Sequence, residues 1–263
     1  MTYENILYEV ADGVATITFN RPEKYNAFSA KMLYEISDAF KQITRDAAVR
    51  AVIITGAGKA FCSGQDLGDA ESIEKGFMEH VRSKYNPLVL TMRGLEKPII
   101  GAVNGVVAGA GVGVALACDL RILSDKASFV FAAFVGIGLV PDTGIDYHLP
   151  RIVGQAKAFE LMMLADGKNR VSPQQALDLN LCTSVVEHDA LIEQARILAV
   201  KFATLPTRAI GMTKRLLNGT WDQTLAETLD MEAQLQHAAS NTRDALEGIT
   251  AFNEKREPKF TGQ

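Results

Sequence analysis

Two glycine-containing turns carry residue types able to do chemistry. The first, Thr55-Gly56-Ala57-Gly58-Lys59-Ala60-Phe61-Cys62-Ser63-Gly64-Gln65-Asp66-Leu67, follows the apolar run 51–55. Small residues at Ser63 and Gly64 let the backbone approach a ligand, so the N–H of Gln65 can donate to an anion. The second, Val103-Asn104-Gly105-Val106-Val107-Ala108-Gly109-Ala110-Gly111-Val112-Gly113, runs into the apolar stretch Val114–Cys118. N–H groups at a helix start stabilise negative charge, and small residues from Ala108 to Gly111 permit close approach. Together the turns can offer two N–H donors to one oxygen. Taken singly, each reads as a tight turn packing a helix on a strand. Gly109-Ala110-Gly111 is not a dinucleotide fingerprint, because no GxGxxG run follows an early strand.

Groups able to move protons are few. Asp142 stands in Gly138-Leu139-Val140-Pro141-Asp142-Thr143-Gly144, after a proline and before a helical pattern, where the common use of an Asp is to cap the helix. Asp146 and His148 follow on the helix start, where such groups usually face solvent. Cys62 has no histidine near it in sequence to activate it and reads as a small buried residue. His80, His188 and His237 fall in segments that read as ordinary helix or loop. Cys62, Cys118 and Cys182 form no CxxC pair and lie near no histidine cluster, so they are expected to be reduced thiols, and no metal site is indicated.

The elements that must position these groups are legible from periodicity. Ile6–Val10 and Val14–Phe19 flank Asp12-Gly13, a hairpin signal. Met32, Leu33, Ile36, Phe40 and Ile43 recur at helical spacing, which predicts an amphipathic helix over 29–46 with Ser29 near its cap. Ala51–Thr55 and Ile99–Val103 have the continuous hydrophobicity of strands buried on both faces. Ile122–Leu123 and Cys182–Val186 read as further short strands, with helices near Gly111–Ala117 and Ala156–Leu164 between them. The fold class is α/β. After about residue 190 the pattern is helical only, over Leu191–Phe202, Thr207–Leu217, Thr224–Ala239 and Arg243–Phe252. Leu225, Leu229, Met231, Leu235 and Phe252 exceed what a small solvated appendage should expose, and either a neighbouring subunit or the chain itself must cover them.

The 263 residues are 48% hydrophobic and 22% charged, enough to bury a full core. A net charge of -4 gives no electrostatic reason to expect nucleic acid or an anionic membrane as partner. The start, Met1 to Asn5, lacks the features of a secretory signal, and no apolar run nears the ~20 residues that span a bilayer, so a soluble cytoplasmic protein is expected.

Arg21-Pro22-Glu23-Lys24-Tyr25-Asn26-Ala27, Gly58 through Leu67, Ala102-Val103-Asn104-Gly105, Cys118-Asp119 and Phe252-Asn253-Glu254-Lys255-Arg256 resemble, in order, the landmarks of the crotonase (enoyl-CoA hydratase/isomerase) superfamily, over about Ile6 to Gly262. The resemblance implies a spiral of ββα turns that binds acyl-CoA over residues 1–195 and a helical oligomerisation region over 196–263. It implies a homotrimer or hexamer, a coenzyme A thioester as substrate and no separate cofactor. The thioester oxygen would sit between the backbone N–H groups of Gln65 and Ala110, whose side chains need take no part. The CoA moiety would lie near Lys24, Ala27, Lys59, Ser63, Gly64, Asp66 and Leu67, with Phe252 and Lys255 added from the C-terminal region of this or another subunit.

The superfamily varies its catalytic groups on a constant frame. Its hydratases resemble two-acid machines, with one Glu at the second turn of the Ala-Gly-Ala-Gly helix and one before the next glycine-proline loop. Here the first position is Gly113, and Phe131-Ala132-Ala133-Phe134-Val135-Gly136-Ile137, one residue longer than the usual pattern, contains no acid. Leu139-Val140-Pro141-Asp142, the glutamine at 65 and the ending Pro258-Lys259-Phe260-Thr261-Gly262 resemble instead the superfamily's isomerases, including those acting on aromatic ring epoxides in phenylacetate breakdown and on fatty acyl chains. Asp142 is then the implied single acid/base, with Phe131, Phe134, Val135 and Ile137 as an apolar wall that excludes water and raises its pKa. Two rivals stand beside this reading. One is a hydratase recruiting Asp142 or Asp146, and the other a non-catalytic acyl-CoA-binding or RNA-associated protein. The acidic charge argues against RNA.

Overall fold

The computed structural model describes residues 3–70 and 76–263. Met1 and Thr2 of the expected signal-free start lie outside them. The chain opens with strands β1 (Ile6–Ala11) and β2 (Val14–Phe19), paired antiparallel. Asp12 and Gly13 between them both take positive φ, the backbone that a two-residue hairpin turn requires. Helix α1 (Ala30–Arg45) begins where Ser29 accepts from the N–H of Met32 at 3.2 Å, and it buries Met32, Leu33, Ile36, Phe40 and Ile43 as its spacing predicts.

Three times thereafter the chain makes a strand in one sheet, a short strand in a second sheet, and helix. The pairs are β3 (Ala51–Gly56) with β4 (Ala60–Cys62), β5 (Ile99–Val103) with β6 (Val106–Ala108), and β7 (Leu120–Ser124) with β8 (Ser128–Val130). With β9 (Ser184–Val186), the first sheet runs β1-β2-β3-β5-β7-β9, parallel from β2 onward, and the second runs β4-β6-β8. This is the ββα spiral that the landmarks imply.

Alternation within β3 and β5 explains why these strands are apolar throughout. Val52, Ile54, Ile99 and Val103 face one core, while Ala51, Ile53, Ile100 and Ala102 face another. The second face is covered by the helix Leu191–Ala203, which sets Leu191, Ala195, Ala199 and Ala203 against it. Those four are one helical turn apart, and three are alanines, so the helix lies close to the sheet. It crosses the expected division at 195/196 as one continuous helix.

Beyond it come helices Thr207–Gly219, Leu225–Ser240 and Arg243–Glu254. Leu225, Leu229, Leu246, Ile249 and Phe252 are exposed on them, whereas Leu235 is buried and Met231 half-buried within the chain. Among the described residues no helix is long and apolar enough to cross a membrane, and no group of acids, histidines and cysteines could hold a metal ion. All three cysteines are free and buried.

Candidate active site

Strands β4 and β6 are parallel neighbours, with Ala60 opposite Val106 and Cys62 opposite Val107. The turns that leave their C-terminal ends therefore meet. Gly64 has φ 102° and Gly109 φ 51°, values that a side chain resists. A Cβ on Gly64 would lie 3.3 Å from Gly109 Cα and 3.4 Å from Ala110 N, so the two backbones touch. Ala110 is the first residue of the helix Ala110–Ala117, whose start has no side-chain cap. Among the described residues neither Gln65 N nor Ala110 N donates to a protein acceptor. Both residues line an apolar cavity of about 120 Å³.

Buried amides hold the turns from behind. Asn26 Nδ2 donates to the carbonyls of Ala57 (2.9 Å) and Ala60 (2.7 Å), and Asn104 Nδ2 to those of Gly58 (3.0 Å) and Ala60 (3.2 Å). Arg21 binds Asp66 Oδ2 at 2.9 Å and the Ala27 carbonyl at 2.6 Å. That hydrogen bond, ahead of a backbone N–H from Gly68, holds the Asp66 carboxyl below its ordinary range against the opposing effect of burial. Two of the landmark segments, 21–27 and 58–67, are thus parts of one scaffold, and Asp66 serves inside it.

The Gln65 side chain is held by a network of its own. Its Oε1 accepts from Tyr85 Oη and from His80 Nε2 at 3.0 Å, while its Nε2 donates to the Asp66 carbonyl at 3.2 Å. Because an amide oxygen only accepts, the Nε2 of His80 carries a proton. His80 ends the short helix Phe77–His80, and Tyr85 ends the π-helical turn Val81–Tyr85 that precedes the helix Asn86–Gly94. Both line the cavity, which corrects the reading of His80 as lying in an ordinary segment. A π-turn brings residues five apart onto one face, a spacing that a search for 3.6-residue periodicity passes over. Tyr85→Phe, which leaves Gln65 Oε1 with one donor fewer, is expected to cost about 1–2 kcal/mol in a denaturant titration and to lower kcat/KM several-fold. Unchanged stability and kcat/KM would show that this network does not orient Gln65.

Asp142 also lines the cavity. It is not the cap of the following helix, Ile145–Val153, because that helix starts at Gly144 with no side-chain cap. Instead Asp142 Oδ1 accepts from Thr143 Oγ1 at 2.7 Å. Burial raises the Asp142 pKa above the ordinary carboxylate value and the charge of Asp146 adds to the rise, while the Thr143 hydroxyl opposes it. Thr143 is itself buried with φ 56° and packs on Gly113. A Cβ at 113 would fall 2.6 Å from Thr143 Cβ and would strike the Thr143 carbonyl oxygen. Where the two-acid pattern has a Glu, this chain has packed backbone.

The expected wall is divided. Phe134 and Ile137 line the cavity, together with Leu67, Phe77, Val81, Ala133 and Leu139. Phe131 does not: it is buried in the core and stacked on Phe129 at 5.5 Å. Val135 is partly exposed and also lies outside the lining. The segment folds as two single 3-10 turns, Phe131–Ala133 and Val135–Ile137, which send neighbouring apolar residues in different directions. Asp146 and His148 are not in the lining.

Of the expected CoA contacts, Ser63, Gly64 and Leu67 border the cavity. Exposed Lys24 is held beside Ser63, whose hydroxyl donates to the Lys24 carbonyl at 3.4 Å. Lys59 is exposed on the turn after β3, and Ala27 is buried and does not line the cavity. Phe252, 83% exposed, and Lys255 lie at the end of the last helix and do not line this chain's cavity.

A frame of ββα turns whose two paired glycine turns, with Asp142, line one apolar cavity is an arrangement of the crotonase type. The chain belongs to the enoyl-CoA hydratase/isomerase family, whose sequence model matches residues 9–263. It is 41% identical over 264 residues to the 1,2-epoxyphenylacetyl-CoA isomerase of Escherichia coli, covering 99% of each chain. It is 33% identical over 272 residues to the trans-2-decenoyl-[acyl-carrier-protein] isomerase of Streptococcus mutans, covering all of both. Among solved structures, the enoyl-CoA hydratase of Bacillus anthracis superposes with a TM-score of 0.89 at 32% identity, over 99% of this chain and 100% of that one.

Proposed function

We propose that this protein is an acyl-CoA isomerase that works with one carboxylate. The observation that carries the reading is that Asp142 is the one acid among the described residues lining the cavity. The thioester oxygen accepts from the N–H groups of Gln65 and Ala110. The Asp142 carboxylate takes a proton from one carbon of the acyl chain, and the C–H electron pair passes into a dienolate whose charge rests on that oxygen. The protonated carboxyl then returns the proton at a different carbon, so the double bond moves and nothing is added or lost. Preorganised donors of this kind contribute about 3 kcal/mol each to the barrier reduction. Phe134, Ile137 and Leu139 keep water from the intermediate.

Lys24 and Lys59 bind the CoA phosphates, and Phe252 and Lys255 complete that site within a trimer or hexamer held by the exposed apolar residues of the last helices. The likeness to the Escherichia coli isomerase supports a ring-derived acyl group and that to the Streptococcus mutans isomerase a linear one, and the reading takes the role to be phenylacetate or fatty-acid breakdown in the cytoplasm. The test is to incubate the protein with 3-hexenoyl-CoA and with crotonyl-CoA, following double-bond position and water addition. Isomerisation of the first without hydration of the second is expected. Rapid hydration of crotonyl-CoA would overturn the one-carboxylate reading.

A further inference from the structure

The helix Ala110–Ala117, whose first residue lines the acyl cavity, has eight residues, and all eight are buried. It spans about 12 Å, so the partial negative charge on its last carbonyls is near enough to offset part of the positive charge at its start. Guanidinium groups meet those carbonyls. Arg121 Nη1 is shared among the carbonyls of Cys118 (2.7 Å), Ala115 (3.3 Å) and Leu116 (3.4 Å), and Arg93 Nη1 donates to that of Ala117 (3.2 Å). Arg121 Nε donates to the Leu181 carbonyl at 2.6 Å, which fixes the group in place. Two cations thus close the end of the helix that lies away from the acyl cavity.

Arg121 belongs to β7, is 8% exposed, and among the described residues has no carboxylate within ion-pair distance. Asp119, two residues earlier, is held by Arg93 at 3.0 Å, Lys214 at 2.8 Å and the N–H of Ile99 at 2.8 Å. Burying a guanidinium against carbonyls alone is costly, and its retention there points to a use for the charge. An arginine keeps that charge at every working pH, and in the interior counter-ions screen it little. With the helix length and a contact distance at each end, it lies roughly 14 Å from the place of the thioester oxygen. At an effective dielectric constant of about 20, a unit charge at that range moves an acid's pKa by about one pH unit.

We propose that Arg121 acts on the oxyanion site through this helix: its guanidinium offsets the negative pole at the last carbonyls, so that the positive pole at Ala110 bears undiminished on the enolate oxygen. Arg121 touches neither substrate nor reacting atoms and is a positioning residue. The inference rests on the reading that the Ala110 N–H meets the thioester oxygen, and it adds a long-range charge to the two N–H donors. Arg93 supplies the same effect in weaker form, because it is partly exposed and has Asp119 beside it.

The experiment uses the full chain and acetoacetyl-CoA, a thioester whose enolate absorbs in the near ultraviolet more strongly than its keto form. The apparent pKa of the bound probe is read by titrating the absorbance at saturation for the wild type, Arg121→Met, Arg121→Lys and Arg93→Gln, with Tm measured beside it. The wild type should ionise the bound probe at a lower pH than the free probe. Arg121→Met should raise the bound pKa by about one pH unit and lower kcat for 3-hexenoyl-CoA about tenfold with KM little changed. Arg121→Lys, which keeps the charge, should titrate with the wild type. If Arg121→Met fails to fold, Arg93→Gln gives the reading, with an expected rise about half as large. A purely structural arginine would lower Tm and leave the bound pKa in place, so no rise in the variant that folds overturns the proposal. Equal rises in Arg121→Met and Arg121→Lys overturn it as well, since the loss then follows a disturbed helix and not the charge. A wild type that leaves the probe's pKa unchanged overturns the oxyanion reading and the inference with it, and is told apart because the wild type itself then fails.

Discussion

Asp142→Asn is expected to lower kcat for isomerisation of 3-hexenoyl-CoA by about a thousandfold, within the range that a positioned acid/base contributes. The asparagine keeps an oxygen to accept from Thr143 Oγ1, so the turn and the cavity persist and KM should change little. The pH dependence follows from the direction of the Asp142 shift. A base must be ionised to act, so wild-type kcat/KM rises with pH through an apparent pKa above the ordinary carboxylate value. Stability runs the other way. A carboxyl whose folded pKa is raised binds its proton more tightly folded than unfolded, so the stability present at low pH is lost as pH rises through the unfolded and then the folded value. At neutral pH the wild type carries that full penalty and the asparagine variant does not. The variant's Tm should therefore equal or exceed the wild type's at pH 7, with the gain vanishing below pH ~3.8. Isomerase activity untouched by the substitution would remove Asp142 from the mechanism. A fall in Tm with the activity would reduce it to a structural group.

The second large effect concerns Gly113. Gly113→Glu restores the acid that the two-acid pattern carries, yet it is expected to produce no hydratase. Its Cβ alone would sit 2.6 Å from Thr143 Cβ and against the Thr143 carbonyl, which is backbone and cannot swing aside. Overpacking of this kind costs about 1–3 kcal/mol, and the turn that yields is the one bearing Asp142. Gly113→Ala isolates the steric part. A displacement near 1 Å of a catalytic group costs ~100-fold in rate, so a loss of about that size in kcat/KM is expected with a lowered Tm. Wild-type activity and Tm in Gly113→Ala would show that the turn tolerates the methyl group. Crotonyl-CoA hydration by Gly113→Glu would show that the second acid can be accommodated after all.

The sequence disclosed the large elements because their signals are long. The 29–46 helix shows a repeated apolar face, and β3 and β5 show unbroken hydrophobicity, each enough to fix type and place. Strands β4, β6 and β8 escaped because three residues carry no readable period. Yet they are what brings Gly64 and Gly109 together. The paired turns were legible only as glycine-rich segments at landmark spacing, and the structure puts their backbones in contact. The wall was half legible: apolar composition identified the segment 131–137, but the 3-10 turns within it decide that Phe134 and Ile137 face the cavity while Phe131 joins the core. His80 and Tyr85 were missed because a π-turn, set by tertiary packing, aims them at Gln65. The role of Gly113 needed coordinates as well, since a glycine in a helix says nothing of the chain that lies against it.

The helix Leu191–Ala203 has a consequence for how the chain is made. The sheet face formed by Ala51, Ile53, Ile100 and Ala102 has Leu191, Ala195, Ala199 and Ala203 as its cover. Some 150 residues of translation separate Ile53 from Ala203, which at the usual pace of synthesis is about 8 to 30 s. During that interval the nascent chain carries an apolar, strand-forming surface with nothing to shield it, the condition under which neighbouring polypeptides on a crowded polysome adhere to one another. Production at low temperature or with abundant chaperone should therefore improve recovery more than any change to the finished fold, and a chain stopped just short of Leu191, which lacks the whole covering helix, should collect in inclusion bodies.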